Sequence, residues 1–99
     1  MPPLKGQALA DLAGQIDEGW SVIDEHRLSR TFKFKDFAEA LAFVNDVGRL
    51  AEQQSHHPEI HLAWGKVRVE IHTHKIDGLT ESDFVLAAKV DRLQAPPKA

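Results

Sequence analysis

Two short stretches on either side of Gly65 alternate apolar and polar residues, and nothing else in the chain restricts the fold as tightly. In the first, Ile60, Leu62 and Trp64 are apolar, with His61 and Ala63 between them. In the second, Val67, Val69 and Ile71 alternate with Arg68, Glu70 and His72, the polar parity running on to His74. A period of two is the signature of a β-strand with one buried face. Gly65-Lys66, with glycine at the first central position, suits a two-residue type II′ hairpin turn. That turn pairs Trp64 with Val67, Leu62 with Val69 and Ile60 with Ile71, and all six apolar side chains share one face. A sheet of this kind is antiparallel and needs other elements to cover it. Extending the same ladder sets His61 opposite Glu70 and His57 opposite His74, at the open end of the hairpin. Pro58 has no N–H to donate and holds His57 extended, so pairing is expected to stop there while proximity survives.

The remaining segments supply the cover. Leu4, Ala8 and Leu12 stand at helical spacing and Gly14 follows, which reads as a short first helix. Trp20 to Ile23 and Leu28 to Phe34 read as two more strands, joined by the polar turn Asp24-Glu25-His26-Arg27. Arg30 breaks the apolar parity of the second, which points to the sheet margin or an ion pair. Asp36 is placed to cap a long helix, with Glu39 three residues on. Phe37, Leu41, Val44 and Gly48 or Ala51 form its expected core stripe. Phe43, Val47 and Leu50 form a second stripe that would meet another surface, such as a partner subunit. The helix is expected to end near Gln54-Ser55, so His56-His57 leaves its C-terminus. Thr80-Glu81-Ser82-Asp83 reads as the start of a last helix reaching Val90 or Leu93, and Asp83 as a residue of that start rather than of any chemistry. Trp20 and Trp64 read as core aromatics, with partial exposure the alternative for Trp64 because it stands beside the turn. The expected architecture is α+β, ordered α-β-β-α-β-β-α: a four-stranded antiparallel sheet with helices packed on one face. The 99 residues suffice for one domain, 1–99, with residues 1–5 and 95–99 as loose tails.

Composition narrows the function classes. A net charge of −3 and no basic stripe speak against direct nucleic-acid binding. With no cysteine, thiolate nucleophiles, disulfides and cysteine-held zinc are excluded. No stretch is apolar and long enough to be a signal peptide or to span a bilayer, so the expected location is the cytoplasm and no membrane partner is expected.

The chemistry must then come from histidine, whose unperturbed pKa lies nearest physiological pH. His56, His57 and His74 are the candidates for one cluster, with Glu52 a helical turn before the pair. Imidazoles sharing a pocket resist simultaneous protonation, and that division yields an acid and a base from identical side chains. His72 and His74 at i, i+2, with His57 or His61 as a third ligand, offer a competing metal site.

Glu52-Gln53-Gln54-Ser55-His56-His57-Pro58, then Trp64, then Thr73-His74 and Gly78-Leu79-Thr80-Glu81-Ser82-Asp83, resembles the pterin-4a-carbinolamine dehydratases. Gly19-Trp20, Leu28-x-Arg30-x-Phe32-x-Phe34 and Lys35-Asp36-Phe37 resemble the first half of the same family. The resemblance spans about Leu12 to Leu93. It implies a dehydratase that removes water from 4a-hydroxytetrahydropterin, such as 4a-hydroxytetrahydrobiopterin, to give quinonoid dihydropterin in tetrahydropterin recycling. No metal and no organic cofactor are implied. By resemblance His56, His57 and His74 are catalytic, and Glu52, Ser55, Pro58, His72, Thr73 and Lys75 contact or orient the pterin carbinolamine. Ser55 departs from relatives that carry an acidic residue there, and His72 from those with a smaller polar one. The resemblance also implies a homodimer or homotetramer. The alternative function is a protein-interaction module of the dimerisation-cofactor or transcriptional-coactivator type.

Overall fold

A computed structural model describes residues 3–76 and 78–94, with only the backbone described at His74 and Gln94. The elements are α1 (Gly6–Ala13), β1 (Ser21–Ile23), β2 (Arg27–Lys33), α2 (Phe37–Gln54), β3 (Glu59–Ala63), β4 (Lys66–Ile71), a 3₁₀ turn (His74–Ile76) and α3 (Glu81–Gln94). All strand pairs are antiparallel and the sheet order is β1-β2-β4-β3. This is the expected α+β order. The expected tails at 1–2 and 95–99 lie outside the described residues. Pro3 to Lys5 is not loose: the Leu4 N–H donates to the Leu79 carbonyl at 2.7 Å.

β4 lies inside the sheet, and its Val67, Val69 and Ile71 are wholly buried. The hairpin before it is offset from the local expectation. Ala63 pairs with Lys66, Leu62 with Val67 and Ile60 with Val69, so Trp64-Gly65 forms the turn. Neither turn residue has a positive φ, which a II′ turn with Gly65 first would demand. The cause is non-local. β2 pairs with β4 from Leu28↔Ile71 up to Lys33↔Lys66, and the Phe34 N–H donates to the Gly65 carbonyl at 2.8 Å. Lys66 must therefore open β4. An offset of two residues preserves parity, so Ile60 and Leu62 still pack against the core. Three expectations change. Trp64 is 68% exposed rather than in the core. His61 faces Arg68, not Glu70. His57, on the continued register, comes level with His72 rather than His74.

α2 is capped as its sequence implies, with Asp36 Oδ1 accepting the Glu39 N–H at 2.9 Å. Its expected core stripe holds at Ala51 and, partly, at Val44, but the second stripe supplies the deeper contacts. Phe43 and Val47 belong to the core with Ala40 and Ala51, whereas Phe37 and Leu41 are exposed. Both stripes are apolar, so periodicity cannot rank them; aromatic packing does. The Phe43 ring meets Phe32 at 4.8 Å and Phe34 at 5.2 Å between centroids. Small Ala40 and Ala51 on the same side let the helix approach the sheet.

Arg30 resolves as an ion pair on the apolar parity. Its guanidinium lies over the Phe32 ring at 4.7 Å and bridges Asp17 (3.1 Å) and Asp91 (3.0 Å). Asp91 also accepts the indole N–H of buried Trp20 at 3.0 Å, which ties α3 to the sheet. Burial pushes the Asp91 carboxyl above its ordinary value, against the opposing pull of Trp20 and Arg30. Among the described residues, no helix is long and apolar enough to cross a membrane.

Candidate active site

One arm of the site is the end of α2. Ser55 takes a left-handed conformation (φ 52°, ψ 38°), and its N–H and that of His56 return to the carbonyls of Glu52 (3.4 Å) and Ala51 (3.2 Å). This pair of bonds is a Schellman ending, which normally places glycine in the left-handed position. Serine there stores backbone strain of about 1 kcal/mol, a cost that clusters at functional positions. The reversal swings His56 and His57 off the helix axis toward the sheet. His57 Nε2 is in short contact with Glu52 Oε2, both side chains being exposed.

The other arm follows β4. His72 follows the strand, and the Thr73 N–H donates to the Gly78 carbonyl at 2.8 Å, closing off the segment that contains the His74–Ile76 turn. Between the arms lies a cleft of about 260 Å³ lined by Ser55, His56, His57, His72, Thr73 and Lys75. A second cleft of about 560 Å³, between the end of α2 and the start of α3, shares Ser55 and His56 with it.

Beneath both arms sits Asp83, fully buried. Its Oδ2 accepts the Thr73 hydroxyl and the Thr80 N–H, each at 2.8 Å. Oδ1 lies 2.7 Å from His56 Nε2. The same nitrogen is 3.3 Å from the His72 carbonyl. The contact to Asp83 is the shorter and that to His72 the better aligned, since Oδ1 has no aligned hydrogen-bond donor. One buried carboxylate thus touches His56 directly and the opposite arm through Thr73.

Of the residues expected at the site, Ser55, His56, His57, His72, Thr73 and Lys75 line the cleft together. Glu52 reaches it through His57. Pro58 is half-buried and is not among the described lining residues. The side chain of His74 lies outside the described residues. Asp83 stands in the first turn of α3, as the sequence implies, and beyond that expectation it also contacts the site. Its sequence signal was its place on α3: Asp83, Leu86, Ala87 and Val90 share one helical face, and the last three are buried. An acidic residue on an apolar face needs partners.

The metal site expected at His72 and His74, with His57 or His61 as third ligand, involves the His74 side chain, which lies outside the described residues; the metal-competent group found among the described residues is Glu59, His61 and Glu70. Glu70 is already engaged by Arg27 and Arg68, each at 3.1 Å, so a cation would have to displace two guanidinium groups. His61 Nε2 stands 4.0 Å from Glu59.

The family model described as pterin 4 alpha carbinolamine dehydratase matches residues 2–93. A relative from Rubrobacter xylanophilus, provisionally named a pterin-4-alpha-carbinolamine dehydratase, is 62% identical over 93 residues, covering 94% of this chain and 86% of its own. One from Alkaliphilus metalliredigens with the same provisional name is 53% identical over 94 residues, covering 95% and 85%. A crystal structure titled transcriptional coactivator/pterin dehydratase from Brucella melitensis superposes with a TM-score of 0.86 at 32% identity, covering 94% of this chain and 99% of that one. The cleft geometry and this agreement along nearly the whole sequence lead to one assignment: the chain belongs to the pterin 4 alpha carbinolamine dehydratase family.

Proposed function

We propose that this chain removes water from a 4a-hydroxytetrahydropterin by histidine general acid–base catalysis. The observation that carries the reading is the cleft in which imidazole-bearing segments from the end of α2 and the end of β4 face one another. The reaction breaks the bond between C4a and its hydroxyl oxygen, which takes a proton from an acid and leaves as water. N5 gives its proton to a base, and its electron pair forms the C4a–N5 double bond of quinonoid dihydropterin. Both tasks suit imidazole, and a positioned group contributes roughly 10²- to 10⁴-fold.

His57 and His74 are assigned as the proton-transfer pair, in either order, and Glu52 orients the His57 ring. His56, whose Nε2 is occupied by Asp83 and the His72 carbonyl, has one ring nitrogen left to hold or polarise the pterin. Ser55, His72, Thr73 and Lys75 frame the bicyclic ring, with Pro58 stiffening the backbone after His57. No metal or organic cofactor enters this scheme. The test is the decay of enzymatically generated 4a-hydroxytetrahydropterin with wild type, His57→Ala and His74→Ala. Acceleration by wild type and its loss in the variants is expected. Decay no faster than in buffer removes the reading, and full activity in both variants removes the residue assignment.

A second reading, an interaction module, is favoured by the exposed Phe37 and Leu41 on the outer side of α2. Self-association into a homodimer or homotetramer would cover them equally well. Light scattering on Leu41→Asp separates the two: dissociation to monomers identifies a self-association surface, and an unchanged mass leaves the face to a different protein.

A further inference from the structure

The segment before α1 lies against the base of the β4 arm. Leu4 donates its N–H to the Leu79 carbonyl at 2.7 Å, and its side chain packs against the core. Pro3 lies against Gly78 so closely that a Cβ on Gly78 would stand 2.6 Å from the Pro3 Cβ. Gly78 is the residue whose carbonyl accepts the Thr73 N–H, and Thr73 and Lys75 line the cleft. The segment is held at its other end as well. Gly6 turns the chain with φ +58°, and its N–H reaches the Glu25 carboxylate at 3.3 Å. No α1 side-chain cap performs that anchoring, since Lys5 makes no capping bond.

We propose that Pro3 and Leu4 are positioning residues of the active site, bracing the Thr73–Gly78 closure and thereby holding Thr73 and Lys75 against the cleft. This rests on the reading of the cleft as the catalytic one. The physical reason is that, among the described residues, the backbone closure between Thr73 and Gly78 is one isolated bridge: Asp83 and Thr80 hold the Thr73 hydroxyl on one side, and packing behind Gly78 opposes its opening on the other. Pro3 is what packs behind Gly78. Because proline has a fixed φ, it brings little entropy to lose when it docks.

The experiment is a double-variant cycle on the full chain, using Gly78→Ala, Pro3→Gly and both together. The new methyl displaces Pro3 in the first variant and meets no proline Cβ in the third. Gly78→Ala is expected to lower kcat/KM roughly tenfold, less than the about hundredfold that a 1 Å misplacement can cost. The loss should fall mainly on KM, and binding of 7,8-dihydropterin should weaken in parallel. Amide hydrogen exchange at Thr73 should accelerate in the same variant. Combining it with Pro3→Gly should bring all three readouts back toward the Pro3→Gly values. Wild-type kcat/KM and exchange in Gly78→Ala or in Pro3→Gly, or losses that add in the double variant, would overturn the proposal. A merely structural brace would lower the melting temperature while leaving kcat/KM of the folded protein unchanged, which also overturns it. If wild type fails to accelerate carbinolamine decay, the dehydratase reading fails instead, and probe binding with Thr73 exchange still decides the brace.

Discussion

Replacing Asp83 separates the two jobs its carboxylate performs. In Asp83→Ala the Thr80 N–H loses its acceptor while remaining buried, a cost of about 1–3 kcal/mol. The Thr73 hydroxyl loses a hydrogen bond to a carboxylate, and His56 loses its 2.7 Å neighbour. Relief from burying the carboxylate offsets part of this, since an enclosed charged group is itself costly. The net loss expected is about 3 kcal/mol, which with a urea slope of about 1–3 kcal/mol/M moves the unfolding midpoint down by roughly 1–3 M. Asp83→Asn is the discriminating variant. Its remaining oxygen can still accept from Thr80, so stability should fall by only about 1 kcal/mol. Its amide, however, presents N–H where Oδ1 faced His56 Nε2, and the bond made by one ring nitrogen sets the protonation of the other. The imidazole must change tautomer or turn away, so kcat should fall while the fold persists. Urea titration and carbinolamine decay on the same preparations check both. An Asn variant with wild-type kcat would refute the link between Asp83 and His56. An Ala variant as stable as wild type would refute the energetics.

Asp91 holds its proton more tightly in the native than in the unfolded chain, because burial raises its pKa despite Trp20 and Arg30, with Asp17 adding to the rise. That contribution is therefore complete below the ordinary value of 3.8 and is lost as pH rises through the raised one. Asp91→Asn should flatten the pH dependence of the urea midpoint just above 3.8, and an unaltered slope there would contradict it. Trp64→Ser should change stability by no more than about 0.5 kcal/mol, whereas Phe32→Ala, in the aromatic cluster, should cost about 3–5 kcal/mol. Equal costs in thermal or urea unfolding would mean the hairpin turn is wrongly placed. Glu52→Gln should leave stability within about 0.5 kcal/mol, since Glu52 and His57 are both exposed to screening solvent, yet lower kcat a few-fold. An unchanged kcat removes Glu52 as the orienting group.

Local pattern alone was enough for much of this protein. Alternation at Ile60–Leu62 and Val67–Ile71 dictated strands, Asp36 with Glu39 marked a helix start, and Pro58 so soon after Ser55 required the helix to stop there. Those signals are local because backbone periodicity and capping act within a turn or a pair of strands. They set His56-His57 beside the far end of β4, and the family resemblance added Ser55, His72, Thr73 and Lys75 to that candidate site. Three matters depended on the tertiary structure. The hairpin register answered to β2, a partner some thirty residues away that pins Gly65 through Phe34. The buried side of α2 was chosen by Phe32 and Phe34, because two equally apolar stripes look alike to periodicity. Asp83 became a site residue only when folding buried it between Thr73, Thr80 and His56, since a carboxylate's role is set by the donors that surround it and not by its neighbours along the chain.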